Sequence, residues 1–270
     1  LRNIKLTLQY DGTAYHGFQR QDPRPTIQAE LEKALVTITG EPVRLVGAGR
    51  TDAGVHALGQ VVSFKTTARI PTERWPAALN SLLPPDIVVL TAEEVALDFH
   101  ARKSARRKTY RYVVANAPLP SAFLRNYAYL VRERLDLEAM QTAARFFLGR
   151  HDFAAFRATG SSVKTSERTI YRLELRRQPF EVLPWFWLAE AANPKLDQEG
   201  QDLQPTLLHF IVEADGFLYN MVRIIVGTLL EVGRGRFQPG DVGAILLSKD
   251  RARAGPTVPA RGLFLERVEY

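Results

Sequence analysis

Hydrophobic and polar positions along the chain predict alternating strands and helices. Ile4, Leu6 and Leu8 alternate with Lys5, Thr7 and Gln9, a half-buried strand that ends in the turn signal Asp11-Gly12. Thr26 reads as an N-cap; Ile27, Leu31, Leu35 and Ile38 follow at helical spacing, and Gly40 stops that helix. Residues 43–46 read as a short strand entering a glycine-rich loop, and Val61, Val62 and Phe64 as another strand. A helix is predicted over 72–82, ended by Pro84-Pro85, and a short apolar strand from Ile87 to Leu90. Further on, Tyr110 to Val114 reads as a strand. Asp136 caps a helix carrying Leu137, Met140, Ala144, Phe147 and Leu148, with Gly149 at its end. Alternation at Tyr171, Leu173 and Leu175, and at Leu208, Phe210 and Val212, predicts two more strands. Phe217, Met221, Ile224, Ile225, Leu229 and Val232 mark a strongly apolar helix ended by Gly233; a helix near 241–248 and a strand near 263–269 complete the chain.

The elements mix without a regular βαβ rhythm, which predicts an α+β fold with a largely antiparallel sheet and helices on one face. Both halves mix helix and strand, so the expected division is an N-terminal half, 1–104, carrying the glycine-rich loop, and a C-terminal half, 105–270. An ancient duplication would fit, but no convincing sequence repeat is present. The polar tract Asn193–Pro205 is expected to be an exposed loop, and Trp185, Phe186 and Trp187 to cover an edge or a neighbouring subunit.

At 270 residues, with 46% hydrophobic and 24% charged residues, the chain has a globular composition. It has no cysteine, which excludes disulfides, thiolate metal sites, iron–sulfur clusters and a cysteine nucleophile. The five histidines, His16, His56, His100, His151 and His209, show no metal-ligand spacing, so no metal site is expected. No apolar run approaches the roughly 18 residues of a membrane span, and no basic-then-apolar leader opens the sequence, so a cytoplasmic, membrane-free setting is expected. Leu1 in first place points to a processed or trimmed start, or an unusual start codon.

Charge changes the picture. The net charge is +7, and arginine outnumbers lysine 28 to 8. Between Asp98 and Glu133 lie 34 residues with no acid and eight bases: Arg102, Lys103, Arg106, Arg107, Lys108, Arg111, Arg125 and Arg132. A local field of this kind points to a polyanion, although a solvated basic face has the same composition.

Three segments could carry chemistry. In Gly47-Ala48-Gly49-Arg50-Thr51-Asp52-Ala53-Gly54-Val55-His56, glycines allow close backbone approach, and Asp52 lies two residues after Arg50. A nearby arginine favours the carboxylate, and a carboxylate can act as a nucleophile; Asp-Ala-Gly is equally a good turn in which Asp52 serves its own backbone. Aspartate where G-x-G-x-x-G needs glycine, and the lack of Gly-Lys-Ser/Thr, argue against a nucleotide-cofactor loop. From Phe99 to Tyr112, bases interleave with aromatics: Arg102, Arg106, Arg107 and Lys108 could hold a nucleic-acid backbone, and a tyrosine could stack on a base. Tyr110 and Tyr112 would share one strand face, and both could equally be core. Arg223 lies beside an otherwise apolar helix face, where a buried arginine needs a carboxylate; Asp52 is one candidate, and a snorkelling surface arginine the alternative. His151-Asp152 reads as a loop feature, since adjacent residues rarely point at each other.

Taken together these segments resemble the tRNA pseudouridine synthase A (TruA) family. Gly49-Arg50-Thr51-Asp52-Ala53-Gly54-Val55-His56-Ala57 is similar to its signature. The likeness extends through Tyr10-Asp11-Gly12, Gln19-Arg20-Gln21, Thr26-Ile27-Gln28, Glu30-Leu31-Glu32, Phe99-His100-Ala101-Arg102, Tyr110-Arg111-Tyr112, His151-Asp152-Phe153, Met221-Val222-Arg223 and Val226-Gly227. The resemblance implies isomerisation of uridine to pseudouridine at positions 38, 39 and 40 of the tRNA anticodon stem-loop, with no metal and no organic cofactor. It implies two ferredoxin-like α/β halves sharing a central, mainly antiparallel sheet around a cleft, and a homodimer with tRNA spanning both subunits. By match, Asp52 is the nucleophile, Tyr110 stacks on the target base, Arg223 pairs with the aspartate, and Arg50 fills the space left by the flipped nucleotide. Thr51, His56, Phe217 and Met221 join the expected substrate-binding set. Phe18 stands where the family commonly has tryptophan. Asp215-Gly216 and Tyr219-Asn220 replace frequent Asn-Ala and His pairs, and Pro179–Pro205 is longer than usual. A tRNA-binding protein without chemistry and a uracil-directed glycosylase are the rival classes.

Overall fold

A computed structural model describes residues 1–160, 165–180 and 205–270. Trp185, Phe186, Trp187 and the expected 193–205 loop, its last residue Pro205 apart, lie outside the described residues. The chain folds as mixed α/β with mostly antiparallel strands, in two compact units: Leu1–Thr109 with Phe264–Tyr270, and Tyr110–Leu263.

In the first unit β1 (Arg2–Tyr10) pairs antiparallel with β3 (His56–Thr66) on one side and β4 (Ile87–Val95) on the other. The two-residue strand β2 (Val46–Gly47) joins β3 antiparallel. The last strand, β10 (Leu263–Glu269), runs parallel to β3, with Phe264 opposite His56. Chain position alone put 263–269 with the second half; the pairing on β3 puts Phe264–Tyr270 in the first unit. The alternation expected of β1 is present: Ile4, Leu6 and Leu8 are wholly buried. Helix α1 (Ile27–Thr39) starts where Thr26 accepts the Ala29 N–H, buries Ile27, Leu31, Ala34 and Leu35, and ends at Gly40 in the left-handed conformation. The helix expected over 72–82 is shorter. A 3-10 turn, Thr72–Arg74, precedes α2 (Trp75–Asn80), because Pro76 lacks an N–H and is tolerated only in a helix's first turn. Trp75 meets Phe64 of β3 edge-on at 5.3 Å, fixing α2 to the sheet.

In the second unit the strand order is β5 (Arg107–Asn116), β9 (Thr206–Ala214), β8 (Glu167–Pro179), β7 (Gly149–Asp152). A short β6 (Tyr129–Val131), which the pattern did not reveal, lies parallel to β5. Helix α3 (Leu137–Ala144) is capped by Asp136 as expected, but gives way to a 3-10 turn at Arg145–Phe147 before Gly149 opens β7. His151-Asp152 is therefore in a strand, not a loop. Helix α4 (Met221–Gly233) is buried on nearly every side, Arg223 excepted. It begins only at Met221, because Asn220 takes a left-handed φ of 60° and leaves Phe217 outside. Glycine lets neighbours approach: a Cβ at Gly227 would overlap the Pro256 carbonyl, and one at Gly233 the Met140 side chain of α3. A last helix, α5 (Asp241–Ser248), matches the expected 241–248.

Candidate active site

The glycine-rich loop joins β2 to β3 and is held from several sides. Its entry is fixed by the Ala48 N–H on the Val61 carbonyl, 2.8 Å, and by Lys108 Nζ on the Ala48 carbonyl, 2.7 Å. Gln60, wholly buried in β3, donates from Nε2 to the Gly49 carbonyl at 2.9 Å and to the Tyr10 hydroxyl at 3.3 Å. Tyr10 and Thr51 share a hydrogen bond of 2.7 Å. Burial pushes the Tyr10 phenol up to about 12, against the smaller opposing effect of its bonds to Thr51 and Gln60, so it stays protonated at neutral pH. The Thr51 carbonyl accepts the Phe18 N–H at 2.9 Å.

Asp52 opens a tight turn: the Val55 N–H donates to its carbonyl at 3.1 Å, and Gly54 supplies the positive φ of 75° at the third position, as a type II turn requires. The turn reading of Asp-Ala-Gly thus holds for the backbone, and the half-buried Asp52 side chain is presented from that turn. Arg50 is exposed.

The Asp11–Gln21 segment packs behind the loop, and two of its glycines are there for space. A Cβ at Gly12 would overlap the Val55 carbonyl; one at Gly17, whose φ is 91°, would stand 2.6 Å from the Thr51 carbonyl oxygen. Phe18 lies over Gly47, whose own Cβ would collide with the ring. His56 is buried, stacked on Phe264 at 4.7 Å, with Nδ1 3.1 Å from both the Gly12 N–H and an Asp11 carboxylate oxygen. One nitrogen cannot accept from Gly12 and donate to Asp11 at once. Asp11 Oδ1 also accepts the Thr13 N–H, at 2.9 Å. His56 and Thr51 thus brace the loop from within.

The basic segment divides by environment. The turn from Phe99 to Ser104 is pinned by Ala101 N–H on Ser63 Oγ, by Tyr270 on the Ala101 carbonyl, and by the Arg102 and Lys103 N–H groups on His100 Nδ1. Arg102, Arg106 and Arg107 are exposed. Lys108 is half-buried and bonded to the loop.

In the second unit Tyr110 is 7% exposed and meets Phe217 edge-on at 4.9 Å. Tyr112 is core: its hydroxyl donates to the Pro259 carbonyl at 2.7 Å, and burial drives its pKa far up. Met221 is buried, its sulfur 3.5 Å from the Leu218 N–H. Half-buried Arg223 donates from Nε to the Val258 carbonyl and from a terminal nitrogen to Asn220 Oδ1, both at 2.7 Å, which sets the plane of its guanidinium. The structure therefore brings Arg50, Thr51, Asp52, His56 and Lys108 together around one loop, and Tyr110 with Phe217 in the other unit. Sequence reasoning missed Gln60 and the tether role of Lys108. The signal for Gln60 was a long polar amide inside the apolar run of a strand.

Among the described residues no group of three or more His, Cys, Asp or Glu side chains is gathered as metal ligands would be, and no helix is long and apolar enough to cross a membrane.

The site is thus a glycine-braced carboxylate turn on a mixed, mostly antiparallel α/β frame. A family model described as tRNA pseudouridine synthase matches residues 7–102 and 143–270. The chain is 48% identical to tRNA pseudouridine synthase A of Acetivibrio thermocellus over 270 residues, covering 100% of each. It is 49% identical to tRNA pseudouridine synthase A of Moorella thermoacetica, covering 99% of each, and 46% identical to tRNA pseudouridine synthase A 2 of Clostridium perfringens, covering 100% of each. The chain belongs to the tRNA pseudouridine synthase A (TruA) family.

Proposed function

We propose that the protein isomerises uridine to pseudouridine in tRNA, at positions 38, 39 and 40 of the anticodon stem-loop, with Asp52 as nucleophile. The observation that carries this is the braced turn around Asp52: backbone bonds, a buried polar chain and space-making glycines hold one half-buried carboxylate in place. Such a site can act on a base only when the base leaves the stem, at a cost of a few kcal/mol. The exposed Arg102, Arg106 and Arg107 offset that cost through backbone phosphates. Tyr110 stacks on the extruded uracil, Arg50 fills the vacated space, and Arg223 pairs with the Asp52 carboxylate. Phe217 and Met221 wall the base. Asp52 attacks C1′ or C6, or the reaction passes through a glycal. In each route the N1–C1′ bond breaks, the base turns, C5 bonds to C1′, and the C5 hydrogen leaves as a proton while N1 gains one. The same reading takes the units as ferredoxin-like halves and the enzyme as a cytoplasmic homodimer that needs no metal or organic cofactor.

The test is tritium release from tRNA carrying [5-³H]uridine. Wild type releases label; Asp52→Asn binds tRNA and releases none. Full release by that variant removes Asp52 from the mechanism. Free uracil in the product would mark a glycosylase, and salt-sensitive tRNA binding without release a binding protein.

A further inference from the structure

Resting on that reading of Asp52, we propose that the buried chain Gln60–Tyr10–Thr51 is a positioning device for the Asp52 turn, fixing it from both sides of Arg50. Gln60 Nε2 ends on the Gly49 carbonyl and on the Tyr10 hydroxyl, and Tyr10 ends on Thr51 Oγ1. The two ends of the chain therefore grip the residues on either side of Arg50. Tyr10 accepts from Gln60, and either hydroxyl can supply the proton of the Tyr10–Thr51 bond.

Two features separate this chain from ordinary core filling. Tyr10 sits on β1 and Gln60 on β3, each 4% exposed or less, where an apolar pair would cost less desolvation. Yet the Gln60 amide nitrogen and the Tyr10 hydroxyl bond toward the loop and to each other. A fully satisfied buried network specifies one arrangement, and loss of a member frees the loop rather than the sheet. Thr51 is then a positioning residue that acts through Asp52.

The experiment compares wild type, Tyr10→Phe, Thr51→Val, Thr51→Ser and Asp52→Ala in single-turnover tritium release, with tRNA affinity measured for each. Tyr10→Phe and Thr51→Val each slow release by about 10- to 100-fold, the scale of a misplaced reacting group, while tRNA affinity is unchanged. Thr51→Ser, which returns the hydroxyl, restores the rate. The double variant Tyr10→Phe/Thr51→Val is no slower than the slower single, because Tyr10→Phe already breaks the Thr51 bond along with the one from Gln60. Thr51 lies at the loop end of the chain, so the Val/Ser pair carries the test even if Tyr10→Phe does not fold. Wild-type rates in both singles, rate losses matched by equal losses of affinity, or Thr51→Ser as slow as Thr51→Val would each overturn the proposal. Asp52→Ala separates the two levels. If it is inactive while Tyr10→Phe and Thr51→Val are fully active, only the positioning chain falls; if it is active, the underlying assignment of Asp52 falls.

Discussion

Replacing Gly17 by alanine should displace the Asp52 turn without touching its chemistry. Gly17 has a φ of 91°, and its Cβ would lie 2.6 Å from the Thr51 carbonyl oxygen and 3.2 Å from the Asp52 carbonyl carbon. A left-handed residue with a Cβ costs roughly 1–2 kcal/mol. Relieving the contact means moving the Thr51 carbonyl, which accepts the adjacent Phe18 N–H at 2.9 Å; losing that bond adds about 1 kcal/mol. The sum, about 2–3 kcal/mol, corresponds to a fall in Tm of roughly 4–12 °C at this chain length. Gly40 provides the control: its φ is 71°, but nothing lies within 4 Å of its Cβ position. Gly40→Ala therefore carries the strain without the collision. Thermal unfolding of both variants, with single-turnover tritium release at a temperature where both are folded, separates the two effects. Gly17→Ala should lose up to about 100-fold in rate, as expected for a reacting group displaced by about 1 Å, and Gly40→Ala none. Equal melting temperatures and equal rates for the two variants would refute the argument that Gly17 makes room for the loop.

The remaining expectations concern charge. Removing any of Arg102, Arg106 or Arg107 should lower the slope of log tRNA affinity against log salt by about 0.7–0.9, whereas Lys108→Met should leave the slope alone and slow release; filter binding across a salt series decides, and a slope change for Lys108→Met would return that residue to the phosphate contacts. Asp152 is held below the usual carboxylate range by the Ser166 hydroxyl and then by the Lys249 ammonium. A depressed folded-state pKa contributes stability above the unfolded value near 4 that is lost as pH falls through the folded value. Asp152→Asn should therefore melt lower than wild type at neutral pH and converge with it in acid. A gap that stayed constant down to acid pH would show that the charge is not what Asp152 contributes.

Much of the frame was legible because it depends on one period at a time. Ile4, Leu6 and Leu8 face one way on β1, and Thr26 and Gly40 bound α1 through local chemistry that needs no partner. What failed to show was set by distant residues. The return of Phe264–Tyr270 to the first unit rests on the parallel pairing of Phe264 with His56, more than two hundred positions apart. The 72–82 helix was shortened by the demand of one proline, and the Phe217 turn was excluded from α4 by the left-handed Asn220.

The candidate site was legible in a different way. Its motif was visible as residue types, but the role of each was not, because role follows from which side of the loop a side chain approaches. Arg50 and Asp52 stand on the accessible side, exposed and half-buried respectively; Thr51, between them, is buried against Tyr10. Alternation along the loop therefore divides a single signature into accessible side chains and side chains that hold the loop. The same division separates Lys108 from Arg107, adjacent in sequence, with the lysine on the Ala48 carbonyl and the arginine exposed. A positive charge in a basic run can thus be a fastening of the fold as well as a contact for a polyanion.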